Sequence, residues 1–345
     1  MLVTHATAPV HPGARMVGMK AIIAPHAGGP DVLTLTTVEP PSCAPDGVVV
    51  DVAAAGVNFI DTYQRSGVYS VPYPRVLGLE GAGVVTQVGP EAAWAHVGQR
   101  VAWAQTPGSY AQQVALTREA CLTVPEAISL DVAAAAMLQG LTAHYLHTSS
   151  YPVREGDTVL IHAGAGGVGL LLTQWVTSRG VRAITTVSTA AKEELSRAAG
   201  AAAVIRYDAM DNLSVELPAA VRELTAGRGV AAVYDGVGRD TFEASLASLA
   251  PRGTMVLFGG ASGQVPPFDI QRLNALGSLT LTRPSLGHFL ATDAERAWRG
   301  EELFTAIAHG TLDVHISARY ALADAATAHA DLESRRTTGK LLLLP

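Results

Sequence analysis

The stretch from Asp157 to Gly169, DTVLIHAGAGGVG, constrains the fold more than any other part of the chain. An apolar, β-branched run centred on Val159, Leu160 and Ile161 leads straight into GAGGVG and then into a helical pattern, LLLTQWVTSRG. Strand, glycine turn and helix are the three parts of a dinucleotide site. In such a turn Gly164 permits the tight reversal, Gly166 lets backbone approach a pyrophosphate, and Gly169 lets helix and strand pack closely, with the helix N-terminus facing the phosphates. The spacing alone is weak, because 34 glycines in 345 residues produce such a triplet by chance in about one chain in three. The weight therefore rests on the strand before the turn and the helix after it.

The same alternation continues downstream. Strands are expected at 158–162, 182–187, 203–206, 230–234 and 254–258, separated by helical stretches such as 190–199, 214–226 and 240–249. A βαβ series of this kind makes a parallel sheet with helices on both faces. A further strand at 278–282 makes six. Beyond Arg283, two amphipathic helices at about 293–309 and 323–333 bracket HISARYAL, and KLLLLP ends the chain as a buried strand. Upstream, from Met19 to about Val124, short β-like segments alternate with Gly-, Pro- and Asp-rich turns, so this half is expected to be mostly strand. Within it Asn58 to Arg65 has helical spacing and reads either as a connecting helix or as a carrier of chemistry. The first eighteen residues read as a loose tail without a leader or spanning segment, with Met16 or Met19 as alternative starts.

Hydrophobic residues at 48% and charged residues at 16% describe a compact globular protein. A net charge of -6 supplies no global field for nucleic acid or an anionic membrane. The two cysteines, Cys43 and Cys121, exclude a disulfide framework and a cysteine-rich zinc site and point to the cytosol. His144 and His147 read as surface histidines rather than a metal site, and His162 as a packed strand residue. No GxSxG turn occurs, so covalent hydrolase chemistry has no support.

An NAD site places an acid at the end of the second strand, about 20 residues past the glycines. Here that strand ends in Thr185, Thr186, Val187 and Ser188, with Lys192 four residues later and Arg206 and Tyr207 closing the third strand. A small residue, a cation and hydroxyls at these points suit a 2′-phosphate, which an acid would repel. NADPH is the expected cofactor.

The runs GVNFIDTYQRSGVY (56–69), GLEGAGVVTQVG (78–89), QGLTAHYL (139–146), HAGAGGVG (162–169), VYDGVGRDTFEASL (233–246), LTRPSL (281–286) and LESRRTTGKLLL (332–343) resemble the zinc-free, zeta-crystallin-like quinone oxidoreductases of the medium-chain dehydrogenase/reductase superfamily. The resemblance spans nearly the whole chain from Met19 and keeps the motif order. It implies an α/β protein in which a Rossmann domain of six parallel strands (140–283) is joined to a GroES-like β-barrel catalytic domain (1–139 and 284–345), with the active cleft between them. It also implies a homodimer paired through the last Rossmann strand, about Ser278 to Arg283. The three positions that hold catalytic zinc in metal-dependent relatives are Asn58, Leu79 and Gln139 here, none a normal zinc ligand.

By the same resemblance Asn58, Thr142, Phe258 and Gly259 hold the nicotinamide end, and Gly166, Gly167, Val168 and Gly169 the pyrophosphate. Ser188, Lys192 and Tyr207 hold the adenosine phosphate, and Arg335 a further part of the cofactor. Asp61, Tyr63, Tyr69, Gln139 and Arg283 border the quinone, with Tyr63 and Arg283 as candidates for stabilising charge on its oxygen. Gln139 stands where family members often carry lysine. The implied activity is metal-free, NADPH-dependent quinone reduction. Two alternatives stay open, reduction of an activated double bond in a 2-alkenal or enone, and an NADPH-binding structural or RNA-binding protein without turnover, the last disfavoured by the acidic charge.

Overall fold

The computed structural model describes residues 18–345, and the amino-terminal tail with its alternative start at Met16 lies outside the described residues. A six-stranded, all-parallel sheet runs in the order Ala203–Arg206, Arg182–Val187, Thr158–Ile161, Val230–Asp235, Leu249–Leu257, Thr280–Thr282. This is the 3-2-1-4-5-6 order of a doubly wound nucleotide fold, and the order reverses between Thr158–Ile161 and Val230–Asp235, where a crevice opens at the carboxyl ends of the strands. Because side chains alternate across a strand, Val159 and Ile161 enter one core while Leu160 enters another on the opposite face. The run of apolar residues that looks uniform in sequence thus serves two helical layers.

The second unit is built on a seven-stranded sheet in which Val48–Val57 pairs antiparallel with Gly81–Val88, Gln113–Leu116 and the last strand, Lys340–Leu344. Ile316–Ala321 lies parallel beside that last strand. The carboxyl-terminal segment therefore returns to the sheet of the amino-terminal half, a long-range pairing that no local pattern encodes. The molecule combines a GroES-like domain with the Rossmann sheet.

One helix, Leu130–Tyr145, binds the two units. It is capped by Ser129, whose hydroxyl accepts from the Val132 amide at 3.3 Å, and it carries four consecutive alanines, Ala133 to Ala136, all fully buried. A helix apolar all round must be covered on every side, and the small alanines let neighbouring backbones come close. A single core accordingly runs through this helix from Ala54, Ala82, Ala102 and Leu342 of the barrel to Val159, Ile161, Tyr234 and Val256 of the Rossmann sheet. The expected domain boundary at 139/140 falls inside this unbroken helix.

The helix continues into a π-helical turn, Leu146–Ser150, and here the histidine reading needs correction. His144 and His147 are buried, not surface residues. His144 accepts from Arg299 at Nδ1 (3.0 Å) and donates from Nε2 to Glu302 (2.8 Å), between the rings of Trp175 and Trp298. His147 donates to the Ala143 carbonyl at 2.8 Å and stacks on Trp175, and burial holds its imidazole down at about 3. The helix from Asp293 to Ala308 that covers them is remote in sequence, so their burial has no local signature.

Leu342 is fully buried in the core shared by both units and faces away from its neighbours Leu341 and Leu343, which enter the barrel interior. Leu342→Ala is expected to lower the unfolding free energy by about 2–5 kcal/mol in equilibrium denaturant titration. A loss under about 1 kcal/mol would show that the shared core is not continuous there.

Candidate active site

The glycine turn opens at the point where the sheet order reverses. The helix Gly167–Thr177 starts on Gly166, which offers no side-chain cap, so the first-turn amides lack protein partners and face the crevice, as an anion site requires. The glycines divide their tasks differently from the sequence expectation. The left-handed residue of the reversal is Ala163 (φ 52°), not Gly164. At Gly164 a Cβ would lie 2.6 Å from Thr185 Cβ and 2.7 Å from Ser196 Oγ, so this glycine permits close packing against the second strand and its helix. A Cβ on Gly169 would strike the Ala163 carbonyl, and one on Gly167 the Gln139 side chain.

Two cavities meet in the cleft. The first, of about 1020 Å³, is lined by Gly166 to Gly169 and, further along, by Ser188, Lys192, Tyr207 and Arg335. The second, of about 1290 Å³, holds Tyr63, Tyr69, Thr142, Gly259 and Arg283. Asn58, Phe59, Gln139, Val168 and Phe258 border both. Every expected cofactor and substrate position lines one or both cavities except Gly164, which packs beneath the turn, and Asp61.

Asp61 is a correction. It stands at the third position of the helix Phe59–Ser66, and its carboxylate turns back to accept from the Asn58 amide at 2.9 Å. It also accepts from the Tyr110 hydroxyl at 3.0 Å, and Tyr110 contacts His329, which accepts from Arg65. The side chain is fully buried and does not reach the cleft. Burial, against hydrogen bonds from Asn58 and Tyr110, pushes the carboxyl up to about 7. Capping chemistry at the helix start consumed the residue that sequence reasoning assigned to the quinone.

At the adenosine end the ammonium of Lys192 lies 3.4 Å from Ser188 Oγ and 2.5 Å from the Arg335 carbonyl, and burial pulls its pKa below the usual lysine range. Arg335 itself has positive φ (57°) and donates to the Ala261 carbonyl at 2.9 Å, spanning the mouth of the cleft. No acid stands among the residues lining this cavity. Beneath the turn, His162 joins a fully hydrogen-bonded set. Its ring meets Thr186 Oγ1 and Ser245 Oγ, both at 2.9 Å, and Ser245 donates to Asp235 at 2.8 Å. Burial lowers the His162 pKa, which keeps a neutral ring under the anion site.

In the second cavity Tyr63 meets Tyr69 edge-on with ring centroids 5.4 Å apart. Burial, only partly opposed by the Gly260 backbone and Arg283, pushes the Tyr63 phenol up to about 12, so its O–H stays protonated in neutral solution and can donate a hydrogen bond. The Arg283 guanidinium has no acidic partner among the described residues and makes one hydrogen bond there, to the Pro284 carbonyl at 3.5 Å. Gln105, Gln264, Phe59, Tyr145 and Leu286 also line this chamber and went unrecognised in the sequence. They come from five separate segments, and none carries a local signal. Beside Asn58 lies a buried ion pair, Glu80 with Lys340, also missed. A lone lysine heading an otherwise all-leucine strand was the one available hint.

The comparisons with known proteins agree with this geometry. Residues 44–153 match the alcohol dehydrogenase GroES-like domain and residues 199–343 a zinc-binding dehydrogenase domain. A quinone oxidoreductase of Pseudomonas aeruginosa is 44% identical over 320 residues, covering 92% of this chain and 97% of the relative. The chain belongs to the quinone oxidoreductases of the medium-chain dehydrogenase/reductase superfamily. Among solved members of this superfamily, a mycobacterial protein complexed with NADPH is 54% identical with a TM-score of 0.91, covering 95% of this chain and all of the other. The Escherichia coli quinone oxidoreductase, also complexed with NADPH, is 42% identical with a TM-score of 0.91, covering 94% and 100%.

The zinc implied by the second domain name does not fit this quinone oxidoreductase. At the three ligand positions stand an amide, a buried leucine and a second amide, and the Lys340 ammonium is bonded to Asn58. A fixed cation beside the first position repels a metal ion, and no softer or anionic donor compensates.

Because Asp61 binds its proton more tightly folded (about 7) than unfolded (3.8), its contribution to stability is complete below pH 3.8 and is lost as pH rises through about 7. Asp61→Asn keeps an acceptor for Asn58 and Tyr110 and never ionises. It is expected to raise stability at pH 8 by up to about 4 kcal/mol and to have little effect at pH 4, read as thermal unfolding midpoints. Equal effects at both pH values would contradict the buried-acid assignment.

Proposed function

We infer that this chain is an NADPH-dependent quinone reductase working without metal in the cleft between its two domains. The observation that carries the reading is the joined pair of cavities, one matched to a phosphorylated dinucleotide and the other to a flat, electron-poor ring. NADPH, when bound, supplies the reducing equivalents from its nicotinamide ring, so the protein's share is binding, orientation and exclusion of water. Gly166 to Gly169 offer backbone amides to the pyrophosphate, while Ser188, Lys192, Tyr207 and Arg335 suit the 2′-phosphate end. Thr142, Phe258 and Gly259 border the nicotinamide end with Asn58.

In the second cavity Tyr69, Phe59 and Phe258 supply apolar and aromatic walls for the quinone, and Gln139 a neutral amide. Tyr63, held protonated, and Arg283, free of any acid, are suited to stabilise negative charge that develops on the quinone oxygen. A general acid beyond these is not required, since a reduced quinone oxygen takes its proton from solvent. Relatives named quinone oxidoreductases at 42–45% identity favour quinones, against a 2-haloacrylate reductase at 39% that acts on an activated double bond, and NADPH complexes of two similar structures support the cofactor.

The finer reading extends to assembly and place. The edge strand Thr280–Thr282 leaves one side of the Rossmann sheet unpaired, and an edge of this kind is suited to extension across a two-fold axis, which supports a homodimer. No helix of the described residues is long and apolar enough to cross a membrane. That and the two unpaired cysteines suit a cytoplasmic protein.

Two measurements test the reading. NADPH oxidation is expected with 1,4-benzoquinone and 9,10-phenanthrenequinone and to be at least about tenfold weaker with an enone panel. Turnover confined to enones, or none at all, would overturn it. The ratio of kcat/KM for NADPH over NADH is expected to fall at least about tenfold in Lys192→Ala, and an unchanged ratio would remove Lys192 from the phosphate site.

A further inference from the structure

Lys340 heads a strand whose remaining residues are all leucine, and its side chain is only 1% exposed. Its ammonium donates to Asn58 Oδ1 at 2.7 Å and to Glu80 Oε2. Glu80, with no exposure, accepts from Asn58 Nδ2 at 2.7 Å and, through its other oxygen, from the Leu138 amide at 2.6 Å. The remaining Asn58 Nδ2 hydrogen points to the Gly56 carbonyl at 3.4 Å. An ammonium only donates and a carboxylate only accepts. The Asn58 carboxamide therefore has one allowed orientation, Oδ1 toward Lys340 and Nδ2 toward Glu80.

That orientation has a chemical consequence at the cleft. Asn58 borders both cavities, yet both of its N–H groups are already used inside the protein. What remains is the second lone pair of Oδ1, because the Asp61 amide donates to the Asn58 backbone carbonyl at 3.0 Å and the side chain makes no capping hydrogen bond. A buried ion pair is a poor device for stability, since well-packed apolar residues do as well, so its retention beside this one amide calls for another reason.

We propose that Glu80 and Lys340 are positioning residues that lock Asn58 as an acceptor-only group, so that it reads the carboxamide NH₂ of the nicotinamide and cannot hold a quinone carbonyl. The proposal rests on the reading of the cleft as an NADPH site. It assigns the discrimination between cofactor and substrate at this position to the protein's own fixed charges. A cofactor whose carboxamide is replaced by an acetyl group presents an oxygen but no donor there, and its lone pairs then face those of Oδ1. Removing both charges frees the Asn58 amide to turn over and to donate.

The test compares dissociation constants of NADPH and of the reduced 3-acetylpyridine analogue, measured by fluorescence titration of the whole protein without a quinone. Wild type is expected to favour NADPH by about tenfold, and the doubly uncharged Glu80→Gln/Lys340→Met variant by less than about threefold. Lys340→Arg, which keeps a cationic donor, is expected to retain the preference, an outcome that a purely structural role for the pair would not require. Circular dichroism and thermal unfolding establish that the double variant is folded; if it is not, Glu80→Gln alone carries the same expectation. An undiminished preference in a folded variant, or no preference in wild type, overturns the proposal. Failure of wild type to bind NADPH at all overturns the cofactor reading and the proposal with it.

Discussion

The cleft depends on how closely two distant backbones approach at the glycine turn. The Gly339 amide donates to the Ala165 carbonyl at 2.9 Å, and Gly166 and Gly339 form a parallel bridge. Gly339 adopts positive φ (51°), and a side chain there would run into the His315 carbonyl. The next residue is Lys340, bonded to Asn58. Adjacent residues of the chain thus touch the glycine turn and Asn58 in the cleft, and consecutive Cα atoms are 3.8 Å apart by covalent geometry. The register between the two domains is therefore set by the chain itself, and the single core through Leu130–Tyr145 stiffens it.

Elements with a strong local period were legible. The strands and helices of the nucleotide domain lie within a few residues of their expected bounds, with the fifth strand starting earlier, at Leu249 rather than 254. The short helix after Asn58 and the final buried strand were also visible, because the one has helical spacing and the unbroken leucines of the other leave no solvent face. What depended on long-range pairing was not. The return of Lys340–Leu344 to the sheet of Val48–Val57 came only from resemblance, and the burial of His144 and His147 depends on a helix more than 140 residues away. Asp61 misled for a physical reason: a carboxylate three residues after an asparagine cap serves equally as a capping group and as a cleft acid, and the spacing alone does not distinguish them.

More than three missing ligands separates this site from a zinc centre. A zinc ion with open coordination is an electrophile available to substrate oxygen, whereas the Lys340 ammonium is enclosed by Asn58 and Glu80 and does not line either cavity. The positive charge is kept near the same place but turned inward. It bonds within the protein and lines neither cavity. Glu80, fully buried beside Leu79, needs a counter-charge, since a buried unpaired carboxylate costs several kcal/mol.

The polarity of the chemistry follows from what surrounds the ring. The substrate chamber contains no carboxylate and no histidine among its lining residues; its polar groups are amides, hydroxyls and the Arg283 guanidinium. Burial pushes the half-buried Tyr63 phenol up to about 12, so in neutral solution it is already protonated and is no base. Such a wall donates hydrogen bonds to an oxygen that gains negative charge, and it holds no base to remove a proton from an alcohol. Oxidation of an alcohol needs that base or a metal to acidify the hydroxyl, and reduction of a quinone needs neither. The donor character of the chamber therefore suits carbonyl reduction rather than metal-free alcohol oxidation, and the proposed cofactor selectivity rests on the turn at Gly166 to Gly169 and the cation at Lys192.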